Sequence, residues 1–242
     1  MIVVQYLRSV IFIVLMYVVM AVMAVCLFPL ALIGGRGFAV GVCRAFCHWV
    51  RFSAWLIVGL RTEVRGPVPR GDVLIASKHQ SFLDILLLYS ALPRGKFIMK
   101  KELVWTPFVG WYAWLIGCIP VDRGKRGKAI KAMLAAVRDP RFAGGQLIIF
   151  PQGTRVAPGD KAEYKVGAAA LYHAMKQPCA PVATNVGLFW GRHSLLRKPG
   201  VAVLEFLPEI APGMDLHAFT AAIETAIETT SDRLMAEAGF HP

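Results

Sequence analysis

The sequence predicts an α/β protein: a largely buried central sheet flanked by helices, with an N-terminal two-helix membrane-anchoring segment. Three observations lead there. After residue 60, short apolar and β-branched runs alternate with helical stretches, the pattern of buried strands joined by crossovers. Before it, residues 10–33 hold 24 consecutive positions without a charged side chain, enough to match the ~30 Å hydrocarbon core of a bilayer. Composition agrees: 56% of the 242 residues are hydrophobic and 17% are charged, which excludes disorder and points to a membrane environment for part of the chain. The net charge of +12 asks for an anionic partner: a lipid surface, a nucleic acid or a phosphorylated substrate.

The elements divide at residue 60. The 10–33 run is too long for a signal-peptide core, and Met23-Ala24-Val25-Cys26 lacks the small residues of a processing site, so a retained anchor is expected. The Gly34-Gly35-Arg36-Gly37 break ends it. Residues 38–60 then form a second apolar stretch in which Arg44 and Arg51, two helical turns apart, share one face, while Phe46, Val50 and Leu56 are free to meet lipid or protein. Residues 1–60 thus make either a span plus a surface helix or a hairpin dipping into one leaflet. Their four arginines and no acid suit anionic headgroups, and Arg36, Arg44 and Arg51, which follow the apolar run, favour the remainder on the cytoplasmic side of a cytoplasmic membrane. Residues 61–242 read as one α/β domain, with strands over 73–77, 146–150, 181–186 and 201–206. Helices are predicted over 82–92 and 125–137. A C-terminal helix is capped by Asp215 and carries Leu216, Phe219, Ile223, Ile227 and Leu234 on one stripe.

Chemistry concentrates after the strands. His79, in Lys78-His79-Gln80-Ser81-Phe82-Leu83-Asp84, directly follows the 73–77 strand, where open α/β folds place ligands. With His79 on the loop and Asp84 in the first helical turn, the imidazole can fold back on the carboxylate and keep its other nitrogen free as a general base. Ser81-x-x-Asp84 also fits a helix-capping box, and the two roles can coexist. Phe150-Pro151-Gln152-Gly153-Thr154-Arg155 follows a second strand; glycine permits close approach, Thr154 offers a hydroxyl and Arg155 a fork for phosphate. Its alternative is an ordinary strand-to-helix turn. Gly117 to Arg123 reads as a short strand ending in Asp122 and Arg123, followed by Lys125, Arg126, Lys128 and Lys131, a phosphate-receiving cluster or a solvated helix face.

Other chemistries lack their residues. The sequence has no P-loop and no G-x-S-x-G elbow. Five cysteines with no C-x-x-C pair suit a reducing compartment, and Cys43-x3-Cys47-His48 has no second ligand pair for a metal. Basic residues interleaved with base-stacking aromatics do not occur in the domain, so no nucleic acid is expected.

His79-x4-Asp84, Gly117 to Arg123, Phe150 to Arg155 and Ala180-Pro181-Val182, in that order behind an apolar N-terminus, together resemble the glycerophospholipid acyltransferase family, in its bacterial 1-acylglycerol-3-phosphate branch. Lys101-Glu102-Leu103, with Pro107 and Gly110 beyond, is similar to the stretch before the family's second block. The resemblance covers about residues 70–185. It implies acyl transfer from acyl-CoA or acyl-carrier protein to the sn-2 hydroxyl of lysophosphatidate, with no further cofactor and no metal. On that reading His79 is the base and Asp84 orients it. Arg123, Gly153, Thr154 and Arg155 bind the glycerol phosphate, with Gln152 and Lys101 in the substrate-binding set. Two positions depart from the family. Gln152 stands where glutamate is usual, which keeps hydrogen bonding and loses the charge; Ala180 replaces a branched residue, leaving a block expected to serve apolar packing. The implied partners are the phospholipid bilayer, lysophosphatidate and the acyl donor. Another lysolipid acceptor, such as a lyso-ornithine lipid, or a non-catalytic binder of anionic membranes are the competing readings.

Overall fold

The computed structural model describes residues 2–122 and 126–241, without the side chains of Arg126 and Arg141. Helix α1 (Ile2–Ser53) is two helical arms joined at Gly35, whose backbone leaves the helical region (φ 68°, ψ −162°). That is where the glycine-rich break was predicted. Its buried residues Phe12, Met16, Ala24, Ala31, Ala39, Cys47 and Val50 recur at intervals of three, four, seven or eight, the repeat of one helical face. This stripe packs into the same apolar core as Ile75, Leu83 and Leu87 of the domain, so residues 1–60 form one wall of that core. Away from it Val14, Val18, Val22 and Val25 are each more than half exposed. By length and composition, the helical stretch Ile2–Val58, kinked at Gly35, is apolar enough to cross a membrane.

Arg51 has another use than meeting anionic headgroups from the face it shares with Arg44. Its guanidinium donates to Thr62 Oγ1 (2.9 Å) and Ser90 Oγ (3.1 Å), which ties α1 to the start of the sheet and to the next helix. The spacing placed it on a polar face; the sheet edge supplies the partners.

Seven strands form one sheet: β1 (Leu60–Arg65), β2 (Val73–Ser77), β3 (Gly95–Lys100), β4 (Ile119–Val121), β5 (Gln146–Ile149), β6 (Cys179–Thr184) and β7 (Gly200–Phe206). Their order is β1-β7-β6-β2-β5-β3-β4, parallel throughout except between β6 and β7. Every residue of β2, β5 and β6 is buried, consistent with a sheet covered on both faces. The other helices are α2 (Leu83–Ala91), α3 (Val109–Leu115), α4 (Arg126–Arg138), α5 (Gly167–Met175) and α6 (Leu216–Glu237). Asp215 caps α6 by accepting from the amides of His217 (2.9 Å) and Ala218 (3.0 Å), as predicted. The buried α6 face comprises Phe219, Ile223, Ile227, Ser231, Leu234 and Met235, whereas Leu216 is exposed because it lies before the helix reaches the sheet. Strands β1 and β3 were not predicted. β1 alternates charge with apolar residues at a sheet edge, and β3 carries Lys96, which is buried with its ammonium on the carbonyl of Gly144 (2.8 Å).

The parallel group β2-β5-β3-β4 has a direct consequence: the loops leaving all four strands emerge at one edge of the sheet. The edge between β1 and β7 is set by Gly66, held at φ 77° with its Cα pressed on the Phe206 carbonyl; a Cβ there would sit 1.9 Å from that oxygen. Gly66→Ala is therefore expected to lower unfolding stability by about 2 kcal/mol or more, from left-handed strain and the clash together. Thermal unfolding in detergent checks it, and an unchanged midpoint contradicts the assignment.

Candidate active site

His79 lies one residue past Lys78, whose amide closes the β2–β6 ladder on Val182 O (3.0 Å). His79 is held at three points, two on its ring and one on its backbone. Its Nδ1 is 2.8 Å from Asp84 Oδ2, its ring stacks on Phe150 (centroids 3.9 Å, 14° apart), and its carbonyl accepts from Val156 N (2.8 Å). Phe150 and Val156 belong to the loop after β5, so two loops together fix one ring.

Asp84 is fully buried, and its Oδ2 also accepts from the amides of Gln80 (2.7 Å) and Ser81 (2.8 Å). Ser81 Oγ in turn accepts from Leu83 N (3.1 Å). The Asp84–Ser81 contact is the return half of a capping box, so capping and holding the histidine fall on the same oxygen. Two of the three donors on Oδ2 are amides, which can only donate. The network is completed when the third donor is an Nδ1–H, and this leaves Nε2 with a free lone pair. His79 is 8% exposed, enough for contact at one edge of the ring.

In the second loop Gly153 turns at φ 70° and its amide donates to Phe150 O (2.9 Å). A Cβ at Gly153 would press on the Lys165 side chain at 2.9 Å. Thr154 is exposed and Arg155 is half-buried. Arg155 lines a cavity of about 190 Å³ with Phe82, Trp190, Arg192 and Arg197, closed on one side by Met16 and Tyr17 of α1. Gln152 is buried and faces inward, donating from Nε2 to Glu228 Oε1 (3.3 Å). Glu228, on α6, also accepts from Tyr164 OH (2.9 Å) and forms an ion pair with the buried Lys78 ammonium. One carboxylate thus links the residue before His79 to the loop carrying Arg155.

The other predicted positions fall differently. Lys101 is exposed on the 3₁₀ turn Lys101–Trp105 that follows β3. Arg123 lies outside the described residues, just beyond β4. Ala180, Pro181 and Val182 are buried in β6, next to β2, which fits the apolar packing expected of them. A second, mostly apolar cavity of about 420 Å³ opens near the ends of β3 and β4, lined by Met99, Val104, Trp114, Leu115 and Cys118, with Arg36 at its rim. Burial pushes the Cys118 thiol up to about 11 and that of Cys179 to about 12, so neither is an activated nucleophile. What the arrangement offers is a positioned imidazole on the loop after β2 and cationic side chains on the loop after β5 and its neighbours.

Sequence reasoning did not single out Glu228, Tyr164, Arg192 or Arg197. Glu228 had one signal, an acid adjoining the apolar stripe of a C-terminal helix. The arginines of the 191–197 loop had none.

A sequence profile of the family described as Acyltransferase matches residues 61–185. Among curated relatives, a 1-acyl-sn-glycerol-3-phosphate acyltransferase of Pseudomonas aeruginosa is 32% identical over 158 residues, 63% of this chain and 62% of the relative. A 1-acyl-sn-glycerol-3-phosphate acyltransferase alpha of Mus musculus is 30% identical over 161 residues, 64% and 56% of the two chains. The chain thus spans less than two thirds of the length of either relative. The crystal structure of the 1-acyl-sn-glycerophosphate (LPA) acyltransferase PlsC from Thermotoga maritima superposes with a TM-score of 0.81 at 19% identity, covering 96% of this chain and 98% of that one, a likeness of fold.

The inward bond of Gln152 makes a charge-exchange test possible. Gln152→Glu sets a second carboxylate beside Glu228 and is expected to cost about 1–3 kcal/mol of stability. Adding Glu228→Gln restores one carboxylate for Lys78 and should recover most of the loss in a double-mutant cycle read by thermal unfolding. Strictly additive effects contradict the coupling.

Proposed function

The chain belongs to the acyltransferase family, and from that premise we propose that it moves an acyl chain from a thioester, acyl-CoA or acyl-carrier protein, onto the sn-2 hydroxyl of lysophosphatidate, giving phosphatidate. The observation that carries this reading is the His79–Asp84 pair, with Nδ1 held at 2.8 Å and Nε2 left as an acceptor at the sheet edge. In the reaction Nε2 takes the hydroxyl proton as the oxygen adds to the thioester carbonyl. The tetrahedral intermediate then expels the thiolate, which takes the proton back from the imidazolium. One C–S bond is exchanged for one C–O bond and the thiol leaves. Asp84 positions the ring and stabilises the imidazolium while it exists.

Arg155, with Thr154 and the Gly153 turn, serves the acceptor's glycerol phosphate, and Arg123 and Lys101 are assigned to the same substrate. The activity for which the relatives are named supports this acceptor. The apolar cavity near β3 and β4 is of a kind to take an acyl chain. The α1 helix is assigned to the cytoplasmic membrane, with the domain on the cytoplasmic side beside Arg36 and Arg44. Its protein-facing stripe supports a helix lying in one leaflet along the domain, its valine face toward lipid.

His79→Ala is expected to reduce phosphatidate formation by about 10²–10⁴-fold, with the melting temperature retained; full activity in the folded variant overturns the assignment. For the membrane face, Val18→Lys with Val22→Lys places two charges on exposed positions without touching the core. Vesicle flotation should show weakened membrane retention, and undiminished retention contradicts a lipid-facing role.

A further inference from the structure

The loop 191–197 contributes a group that the acyl-transfer scheme leaves unused. Arg197 is 93% buried at its residue exposure of 7%, with its guanidinium carbon 4.3 Å from the centroid of the Trp190 ring. Trp190 is wedged between Phe12 of α1 (5.5 Å) and Phe82 (6.2 Å), the residue just before α2. The backbone of Arg197 is pinned to α1: its amide donates to Ser9 Oγ (2.9 Å), and its carbonyl accepts from Gln5 Nε2 (2.7 Å). The guanidinium Nη1 donates to Ser194 O (2.5 Å), but its Nε is buried and, among the described residues, without a partner. A guanidinium does not shed its charge at neutral pH, even though burial pushes this one down to about 10. A buried cation with an orphaned donor is costly unless an anion answers it.

The surroundings supply more cations and no acid. Arg197 lines the same cavity of about 190 Å³ as Arg155, together with Arg192 and His193, and no carboxylate residue is among its lining. Arg192 is linked to the loop after β5 through the Arg155 carbonyl, to which it donates (3.4 Å). Three guanidinium groups around one small space match a phosphate monoester, which carries close to two charges and several acceptor oxygens. Phe82, Trp190 and Met16 give the space an apolar wall leading to the membrane helix, which suits a phosphate carried on a lipid.

We infer that Arg192 and Arg197 complete, with Arg155, a phosphate-binding pocket between α1 and the loop after β5, occupied by the phosphomonoester of the lipid acceptor. The inference rests on the acyl-transfer reading for the identity of that lipid, not for the pocket itself. The same chemistry is present on the phosphates of coenzyme A and phosphopantetheine, and the experiment separates the two sources.

Wild-type protein, Arg192→Gln, Arg197→Gln and Arg197→Lys are compared in detergent, with thermal unfolding as the check on folding. Arg192 is exposed, so its variant remains decisive if the Arg197 variants do not fold. Apparent KM is measured separately for lysophosphatidate and for acyl-CoA, alongside turnover of a monoacylglycerol of the same chain length. The pocket predicts a rise in KM for lysophosphatidate of about 10-fold or more, little change in KM for the donor, and a falling preference for lysophosphatidate over monoacylglycerol. A merely structural role would lower both acceptors alike. A rise confined to the donor overturns the acceptor assignment and gives the pocket to the donor's phosphates; no change in either KM overturns the pocket. A second readout needs no turnover: lysophosphatidate should raise the wild-type melting temperature, monoacylglycerol should not, and Arg192→Gln should lose the difference. If wild type binds in this way yet forms no phosphatidate, the acyl-transfer reading falls and the pocket stands. If phosphatidate forms and the variants behave as wild type, the reverse holds.

Discussion

Everything at this site follows from four neighbouring parallel strands. A parallel ladder satisfies its backbone groups only when each strand is re-entered from the same end, so the chain must cross over and every outgoing loop must gather at one edge. β2 delivers His79, β5 delivers Gly153 to Arg155, β3 leads to Lys101, and β4 leads toward Arg123. Residues separated by more than seventy positions in the chain are neighbours because β2 and β5 are paired, with Ala76 opposite Ile149. The sheet decides where chemistry can be assembled before any side chain contributes.

Within that edge the loops are locked by buried polar groups rather than by packing alone. Asp84 Oδ2 gathers three donors, and Glu228 gathers Lys78, Gln152 and Tyr164. Asp84 is fully buried and Glu228 partly so, and carboxylates withdrawn from water are tolerable with such numbers of donors and costly without them. The first fixes the ring; the second holds the two loops at one separation. Glutamine at position 152 fits this arrangement, since its amide donates to a carboxylate that a glutamate would repel.

The legible part of the molecule was the part governed by local rules. Buried strands such as β2 and β5 announce themselves as short apolar runs, Asp215 sits at the right spacing to cap α6, and the glycines at 34–37 mark the break in α1. His79 and Asp84 were legible because both lie within one strand–turn–helix unit. What escaped depended on distant partners. β1 is a strand because β7 lies beside it; its own sequence, Leu-Arg-Thr-Glu-Val-Arg, carries a mixed signal. Arg51 looked suited to headgroups until Thr62 and Ser90 appeared at its end. Glu228 and Arg197 gained their meaning only when α6 met the two loops and loop 191–197 met α1.

The docking of α1 against late parts of the chain sets a constraint on biogenesis. Helix α1 needs Trp190 over Phe12 and the Arg197 backbone over Ser9, and β1 needs β7. Residues up to about 115 already cover the middle and far end of the α1 stripe, but its start, around Ser9 and Phe12, is completed only when nearly two hundred residues have been made. The last contacts of the fold therefore join segments nearly two hundred residues apart, and the apolar start of α1 stays uncovered until they form.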